Sequence, residues 1–364
     1  MGQADLLSRQ RDVGTGRYAY LFAWLINAAE HGRLPDALVR WGIRRILMAR
    51  HDRLSNVDDG TAVDDFLQAT RSAPIAVTPE KANQQHYELP AEFFRHVLGE
   101  RLKYSCCYWP EGIETLNDAE ERALAITCQR AELHDGHNIL ELGCGWGSLS
   151  LWMAERYPSS TITAVSNSTS QRQFIEQQAA LLGLSNLKVI TADINYFETE
   201  QRYDRIVSVE MFEHVRNHTA LMQRIHGWLV PRGRLFVHVF CHRTRPYLFH
   251  TEGELNWMGR YFFTGGMMPS TNLLPRCAAP LDQVSHWKWS GNHYAKTCRA
   301  WLRNQDAASS TCKDLMRHTY GHTHATRWYN RWRMFFMACE ELFAFDQGDE
   351  WLVSHYLFER QSSQ

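Results

Sequence analysis

The sequence predicts an α/β fold: a seven-stranded, mostly parallel sheet behind a helical N-terminal extension, with an inserted lid region between residues 242 and 292. Three observations point there. From residue 139 onward, short apolar runs alternate with helical patterns, which is how a parallel sheet with helices on both faces is encoded. The first of these runs ends in a glycine-rich turn, ELGCGWGS, that opens a helix. The N-terminal stretch lacks this alternation and repeats its apolar residues at helical spacing instead.

In chain order, RYAYLFAWLINAAEHG and PDALVRWGIRRILMARHDRL are expected helices. The second is basic and amphipathic. Its apolar stripe suits packing on the following domain, arginines in water, better than contact with anionic lipid. The prolines of RSAPIAVTPEKANQQ mark a linker, dividing an extension of residues 1–80 from a domain of residues 81–364. HYELPAEFFRHVLGERLKYSCCYWPEG holds many aromatics and few strand signals, and LNDAEERALAITCQRAEL reads as a helix capped by Asn117 or Asp118. Beyond it NILELG, TITAV, LKVIT, DRIVSV and RLFVHVF are strands, and SLSLWMAERY, SQRQFIEQQAALLG and HTALMQRIHGWLV are helices. Ser168 or Thr169 is placed to cap the middle one of these helices. FTGGMMPS and HWKWSGNHY are expected loops, AKTCRAWLRNQ and RWYNRWRMFFMACEELFAF helices, and EWLVSHYLFER a closing strand.

Composition narrows the function. A net charge of -1 argues against a general nucleic-acid binder. Nine cysteines without a Cys-x-x-Cys pair, Cys106 and Cys107 being adjacent, indicate buried thiols in a reducing compartment rather than a disulfide framework. His322 and His324 have no partners that complete a ligand set, so no metal is expected. The start of the chain lacks an apolar signal core, and no window approaches the ~20 apolar residues of a membrane span. A soluble, cytoplasmic protein is therefore expected.

The glycine turn and the strand ends hold the candidate ligand groups. Gly143, Gly145 and Gly147 let backbone approach a ligand at a helix N-terminus. Their spacing misses the dinucleotide pattern by one residue. Glu141, just before them, would repel a pyrophosphate but suits a cationic ligand. S-adenosylmethionine, which has no phosphate and carries a positive amino acid end, fits better. After the second strand, Ser166, Asn167 and Gln171 can pair with ribose hydroxyls. After the third, Asp193 can accept from an adenine amino group while Ile194 packs on the ring. After the fourth comes SVEMFEHVRN, where Glu210, Glu213 and His214 would form a general-base set at the mouth of the site.

With these residues in view, the chain resembles the family joining cyclopropane-fatty-acid synthases with coclaurine-type N-methyltransferases, through YELPAEFF, LKYSCCYW, ILELGCGWGSLSLW, AVSNSTSQRQFIE, YDRIVSVEMFEH, SGNHYAKT and EWLVSHYLF. The resemblance implies a Rossmann-like class I methyltransferase sheet. It also implies S-adenosylmethionine as cofactor, held by Tyr104, Ser105, Gly143, Gly145, Asn167, Gln171, Asp193 and Ile194. In the amine branch it gives catalysis to Glu210, Glu213 and His214, with Tyr294, Trp332 and Phe335 at the substrate. His214 would be the base, Glu210 would orient its imidazole, and Glu213 would hold the ammonium. In the synthase branch a glycine stands in place of Glu210, and residues matching Cys106, Glu213, His238 and Tyr294 hold bicarbonate. Glu210 favours the amine branch, hence a small hydrophobic or aromatic amine as partner and no nucleic acid. The alternative is methyl or methylene transfer to a lipid alkene, which alone would call for membrane contact. A homodimer is left open.

Overall fold

A computed structural model of the chain describes residues 17–55, 61–78 and 89–362. The first residues of the chain, most of the second half of the linker and the HYE of HYELPAEFF lie outside the described residues. Among the described residues three helices lead: α1 (Arg17–Glu30), α2 (Asp36–Ser55) and α3 (Ala62–Thr70). Then α4 (Ala91–Val97) and α5 (Leu116–Arg130) precede the sheet. The alternating section is β1 (Asn138–Leu142), α6 (Ser148–Arg156), β2 (Thr161–Ser166), α7 (Thr169–Leu181), β3 (Leu187–Thr191), β4 (Tyr203–Val209), α8 (His218–Trp228) and β5 (Leu229–His242). The inserted segment expected to be a lid holds a small ladder of β6 (Tyr247–Leu248) and β7 (Met267–Met268), with the short helices α9 (Trp257–Tyr261) and α10 (Leu273–Cys277). The chain closes through β8 (Leu281–Trp289), α11 (Gly291–Ala307), α12 (Ser309–Tyr320), α13 (His322–Ala344) and β9 (Trp351–Arg360).

The seven strands lie in the order β3-β2-β1-β4-β5-β9-β8. β3 to β5 run parallel, and β9 and β8 add antiparallel. Strand order reverses between β1 and β4, and in such sheets the crevice outside the carboxyl ends at that point is where ligands sit. Leu142 at the end of β1 lies beside Ser208 of β4, whose hydroxyl donates to the Leu142 carbonyl at 2.9 Å. This register brings the glycine turn beside Glu210.

Several local expectations are corrected. Thr115, not Asn117 or Asp118, caps α5: its hydroxyl accepts from the Asp118 N–H at 3.1 Å and donates back to the Asp118 carboxylate at 2.6 Å. Asp118 thus occupies the third helical position of a reciprocal capping pair. Ser168 caps α7 as expected, accepting from the Gln171 N–H. The expected loop HWKWSGNHY is instead the end of edge strand β8 and the first turn of α11. Its polar outer face weakens the strand signal, and pairing with the buried β9 supplies what alternation does not. FTGGMMPS likewise contains β7. On α2, Arg40 and Arg44 do not simply face water; they pair with Glu340 and Glu341 of α13. Glu30 of α1, 1% exposed, is held by Arg331 and by the Trp257 indole N–H at 2.8 Å. The extension is thereby clamped to α13 and the lid.

Among the described residues no helix is long and apolar enough to cross a membrane, and no cluster of His, Cys, Asp and Glu is arranged to hold a metal. His322 and His324 lie exposed at the start of α13, and all the cysteines are free, all buried but the half-buried Cys339.

Candidate active site

At the strand-order reversal lies a cavity of about 1320 Å³, its open mouth included. One half is built by the ends of β1, β2 and β3. Gly143, Gly145 and Gly147 all have left-handed φ values, between 51° and 82°. A Cβ at Gly143 would lie 2.7 Å from Met211, and one at Gly147 2.6 Å from Ile175, whereas one at Gly145 would meet nothing within 4 Å. Two glycines are therefore required by the fold, and the third leaves space over the cavity. Glu141 lines this half, 2% exposed, and burial pushes its carboxyl up to about 7 although the Ser150 hydroxyl donates to it. Gln171 accepts from the Ser166 hydroxyl at 2.6 Å, and its Nε2 is buried without a partner. Asn167, Ile194, Tyr104 and Ser105 also line the cavity. Asp193 does not: it lies on the outer lip with residues 73–77, and its carboxylate accepts from the Asn195 N–H at 2.8 Å.

A glycine cradle, an orphaned buried donor and a carboxyl facing it match the needs of a cationic, ribose-bearing cofactor without phosphate. S-adenosylmethionine fits the residues present.

The other half is built by β4, β5 and elements distant in sequence. Glu210 follows β4 with a φ of 50°, a conformation that costs a residue with a Cβ roughly 1–2 kcal/mol. Three donors hold its carboxylate. Oε1 accepts from the Cys106 N–H at 2.8 Å and lies 3.1 Å from His238 Nε2, and Oε2 accepts from the Tyr294 hydroxyl at 2.6 Å. Burial opposes the charge, yet the His238 hydrogen bond, the nearby Lys103 ammonium and the Cys106 N–H hold the carboxyl below its usual range. Lys103, 3% exposed, donates to the Ser105 hydroxyl and the Cys106 carbonyl at 2.6 and 2.7 Å, which ties the KYSCC segment into the site.

The sequence-predicted residues are only partly brought together. Glu210 and His214 both line the cavity. The imidazole hydrogen-bonded to Glu210, however, is that of His238; His214 stacks on Phe263 of the lid, ring centroids 5.5 Å apart. The 3-10 turn Phe212–His214 rotates His214 toward the lid. The same turn sends Glu213 the other way. Glu213 is fully buried, accepts from the Phe240 N–H at 2.8 Å, and leaves Oε2 without a partner. Burial and the Glu210 charge raise its carboxyl well above normal, which favours the neutral acid, and it lies behind the cavity wall. Burial pushes His214 down to about 4, partly offset by Glu210, so its imidazole is neutral near pH 7.

Three expected substrate residues do not line the cavity either. Tyr294 is spent on Glu210. Trp332 is fully buried against Phe93, 5.1 Å between centroids, and Phe335 stacks on Phe262 at 4.4 Å. Helical spacing on α13 turns both into the aromatic core; Trp332 reaches the cavity through Tyr104, which lines it, 6.4 Å away between centroids. Lys103, His355 and Arg130 escaped the sequence reading, since a lone Lys, His or Arg carries no local signal.

Fold and site define an S-adenosylmethionine-dependent methyltransferase of the seven-stranded type. The chain belongs to the mycolic acid cyclopropane synthetase family, whose model matches residues 76–351. It is 38% identical over 344 residues to the (S)-coclaurine N-methyltransferase of Thalictrum flavum subsp. glaucum, covering 93% of this chain and 95% of that one. A solved coclaurine N-methyltransferase, bound to N-methylheliamine and SAH, superposes with a TM-score of 0.86 at 32% identity, covering 94% of this chain and 99% of that one. The cyclopropane-fatty-acyl-phospholipid synthase of Escherichia coli K12 is 29% identical over 62% of this chain and 56% of its own length.

Proposed function

We propose that the protein transfers the S-adenosylmethionine methyl group to the nitrogen of a small hydrophobic, aromatic amine, using Glu210, Glu213 and His214. The observation that carries this is the seat of the Glu210 carboxylate. In the synthase branch of the resemblance, Cys106, His238 and Tyr294 match residues that hold bicarbonate; here those donors already hold a carboxylate of the chain itself. The relatives named as coclaurine N-methyltransferases support an amine as the acceptor.

The cofactor supplies an electrophilic methyl on a sulfonium; the N–C bond forms as the S–C bond breaks. Gly143 and Gly145 would cradle its amino acid end beside Glu141, with Asn167 and Gln171 at the ribose. Ile194 would pack on the adenine, and Asp193, one residue out on the lip, would meet its amino edge. Tyr104 and Ser105, which line the same cavity, would also hold the cofactor. An ammonium has no lone pair, so the substrate must lose a proton, and the neutral His214 imidazole facing the cavity is placed to take it. Glu210 would stabilise the resulting imidazolium through its charge rather than by a direct hydrogen bond. Glu213, behind the cavity wall, would hold the ammonium through its charge rather than by direct contact, an arriving cation drawing its carboxyl toward ionisation. Trp332 and Phe335 would back the hydrophobic wall rather than touch the amine.

The test is methyl-labelled S-adenosylmethionine incubated with a panel of aromatic amines and, separately, with vesicles of unsaturated phospholipid, products read by mass spectrometry. N-methylated amine is the expected product. Turnover of phospholipid stimulated by bicarbonate, with no amine accepted, would overturn the proposal in favour of lipid methylation.

A further inference from the structure

A chain of hydrogen bonds leads from Glu210 to the last turn of α5. Glu210 Oε1 lies 3.1 Å from His238 Nε2, His238 Nδ1 lies 2.9 Å from His355 Nε2, and His355 Nδ1 lies 2.9 Å from Arg130 Nη1. Both imidazoles are fully buried, on the paired strands β5 and β9 where they face each other in register. The tautomers follow by elimination. A guanidinium only donates, so His355 Nδ1 must accept and its proton sits on Nε2. That N–H points at His238 Nδ1, which must accept in turn. His238 therefore carries its own proton on Nε2 and donates it to the Glu210 carboxylate. A second proton on either ring would set two N–H groups head to head.

Other groups reinforce this polarity. The Arg130 guanidinium lies 5.0 Å from the ring centre of Trp287 and 5.5 Å from that of Trp289, and no carboxylate pairs with it among the described residues. Its charge is thus directed at the chain. Burial first, then Lys103 and Arg130, and for His355 also His238 and His286, oppose any further proton on the imidazoles. Only Glu210 favours one on His238, and it is already answered by the Nε2–H.

We propose that Arg130 is a positioning residue of the methyl-transfer site: through His355 and His238 it fixes both tautomers, so that a single N–H is presented to Glu210 and the carboxylate stays an oriented anion. The kinetic consequence rests on the function proposed above. His238 can donate a proton but cannot accept one, which leaves His214 as the imidazole that takes the substrate's proton. The same polarity bars that proton from leaving along the chain toward Arg130.

The test has two arms. In protein labelled with 15N-histidine, without any acceptor, the ring nitrogen shifts of His238 and His355 should report the Nε2–H tautomer and stay unprotonated to well below the ordinary histidine range. In Arg130→Met this fixation should be lost. Its kcat should fall about tenfold or more, the scale of lost outer partners at metal-bound imidazoles. Cofactor affinity and the KM for amine should stay nearly unchanged, and the acid limb of the kcat profile should move to higher pH. Arg130→Lys, which keeps a donor and a charge, should restore most of both readouts. An Nδ1–H tautomer at either ring in the unmutated protein overturns the inference, as does an Arg130→Met protein with unchanged tautomers and kcat. Should Arg130→Met not fold, the unmutated spectrum and Arg130→Lys still decide by the same criteria. A protein whose tautomers hold but which methylates no amine faults the proposed function alone.

Discussion

The two halves of the cavity are built differently. The half proposed for the cofactor comes mostly from consecutive strand ends between residues 138 and 194, joined by Tyr104 and Ser105, and its glycines, Asn167, Gln171 and Ile194 are set by local turns and caps. The reactive half is assembled from far apart: Glu210 after β4, Cys106 before α5, His238 on β5, Tyr294 on α11 and His355 on β9. In the first half the glycines and the groups at the strand ends are placed by their own neighbours. In the second, each charge or proton is placed by a partner tens to hundreds of residues away. The protonation states follow. Glu210 and Glu213 are three positions apart, yet three donors hold one carboxyl below its usual range, while burial and the Glu210 charge raise the other well above it.

If the halves are separable, the largest effect should fall on the chemical step alone. His214→Ala should lower kcat by ~10² to 10⁴, the usual worth of general-base help, with S-adenosylmethionine affinity nearly unchanged. Raising the pH should partly rescue it, because more amine then arrives already neutral. Steady-state kinetics and calorimetry together check this. A near-normal kcat across neutral pH would make the turn structural, and a matching loss of cofactor affinity would mean the halves are not independent.

The converse break is Gly145→Val. The φ of 51° disfavours any residue with a Cβ, a β-branched one most, but a Cβ there would meet nothing within 4 Å among the described residues. The variant should fold, with a modestly lowered melting temperature, and bind S-adenosylmethionine about 100-fold more weakly (~3 kcal/mol at RT ≈ 0.59). Valine at Gly147 should instead damage the fold, since its Cβ would lie 2.6 Å from the buried Ile175. Unchanged affinity in a folded Gly145→Val protein would move the cofactor elsewhere.

The same division explains what the sequence reveals. The parallel strands, the glycine turn and the Ser168 cap are written in short-range patterns, so they can be read directly. Glu210, Glu213 and His214 could be found as a motif, but not aimed: a single 3-10 turn points one residue into the wall and another at the lid. Trp332 and Phe335 stand out only through the family resemblance, and an aromatic on a helix does not say whether it meets ligand or core. β8 was hidden because its identity as a strand comes from β9. Lys103, His355 and Arg130 were hidden because their roles exist only through tertiary hydrogen bonds.

The smallest expected effect tests whether the cofactor half also carries a tuned charge. Among the described residues no guanidinium or ammonium is hydrogen-bonded to Glu141; burial raises its carboxyl to about 7 against the Ser150 hydroxyl, so near neutral pH it is about half protonated. A cofactor ammonium placed beside it favours the carboxylate and lowers that pKa. Binding below about pH 7 must then expel a proton, and linkage fixes the sign: affinity should be level above that pH and fall as the pH drops, by at most about tenfold per unit. In calorimetry at pH 6 to 7 the apparent binding enthalpy should differ between buffers of different ionisation enthalpy, by an amount equal to the protons released. Glu141→Gln should abolish both the buffer dependence and this slope while weakening binding at higher pH. It should also ease the cost that the folded chain bears as pH rises from about 4.5 through 7, where the unfolded carboxyl ionises and the buried one resists. A binding enthalpy independent of buffer, with the slope intact in Glu141→Gln, would place the cofactor's positive end away from β1.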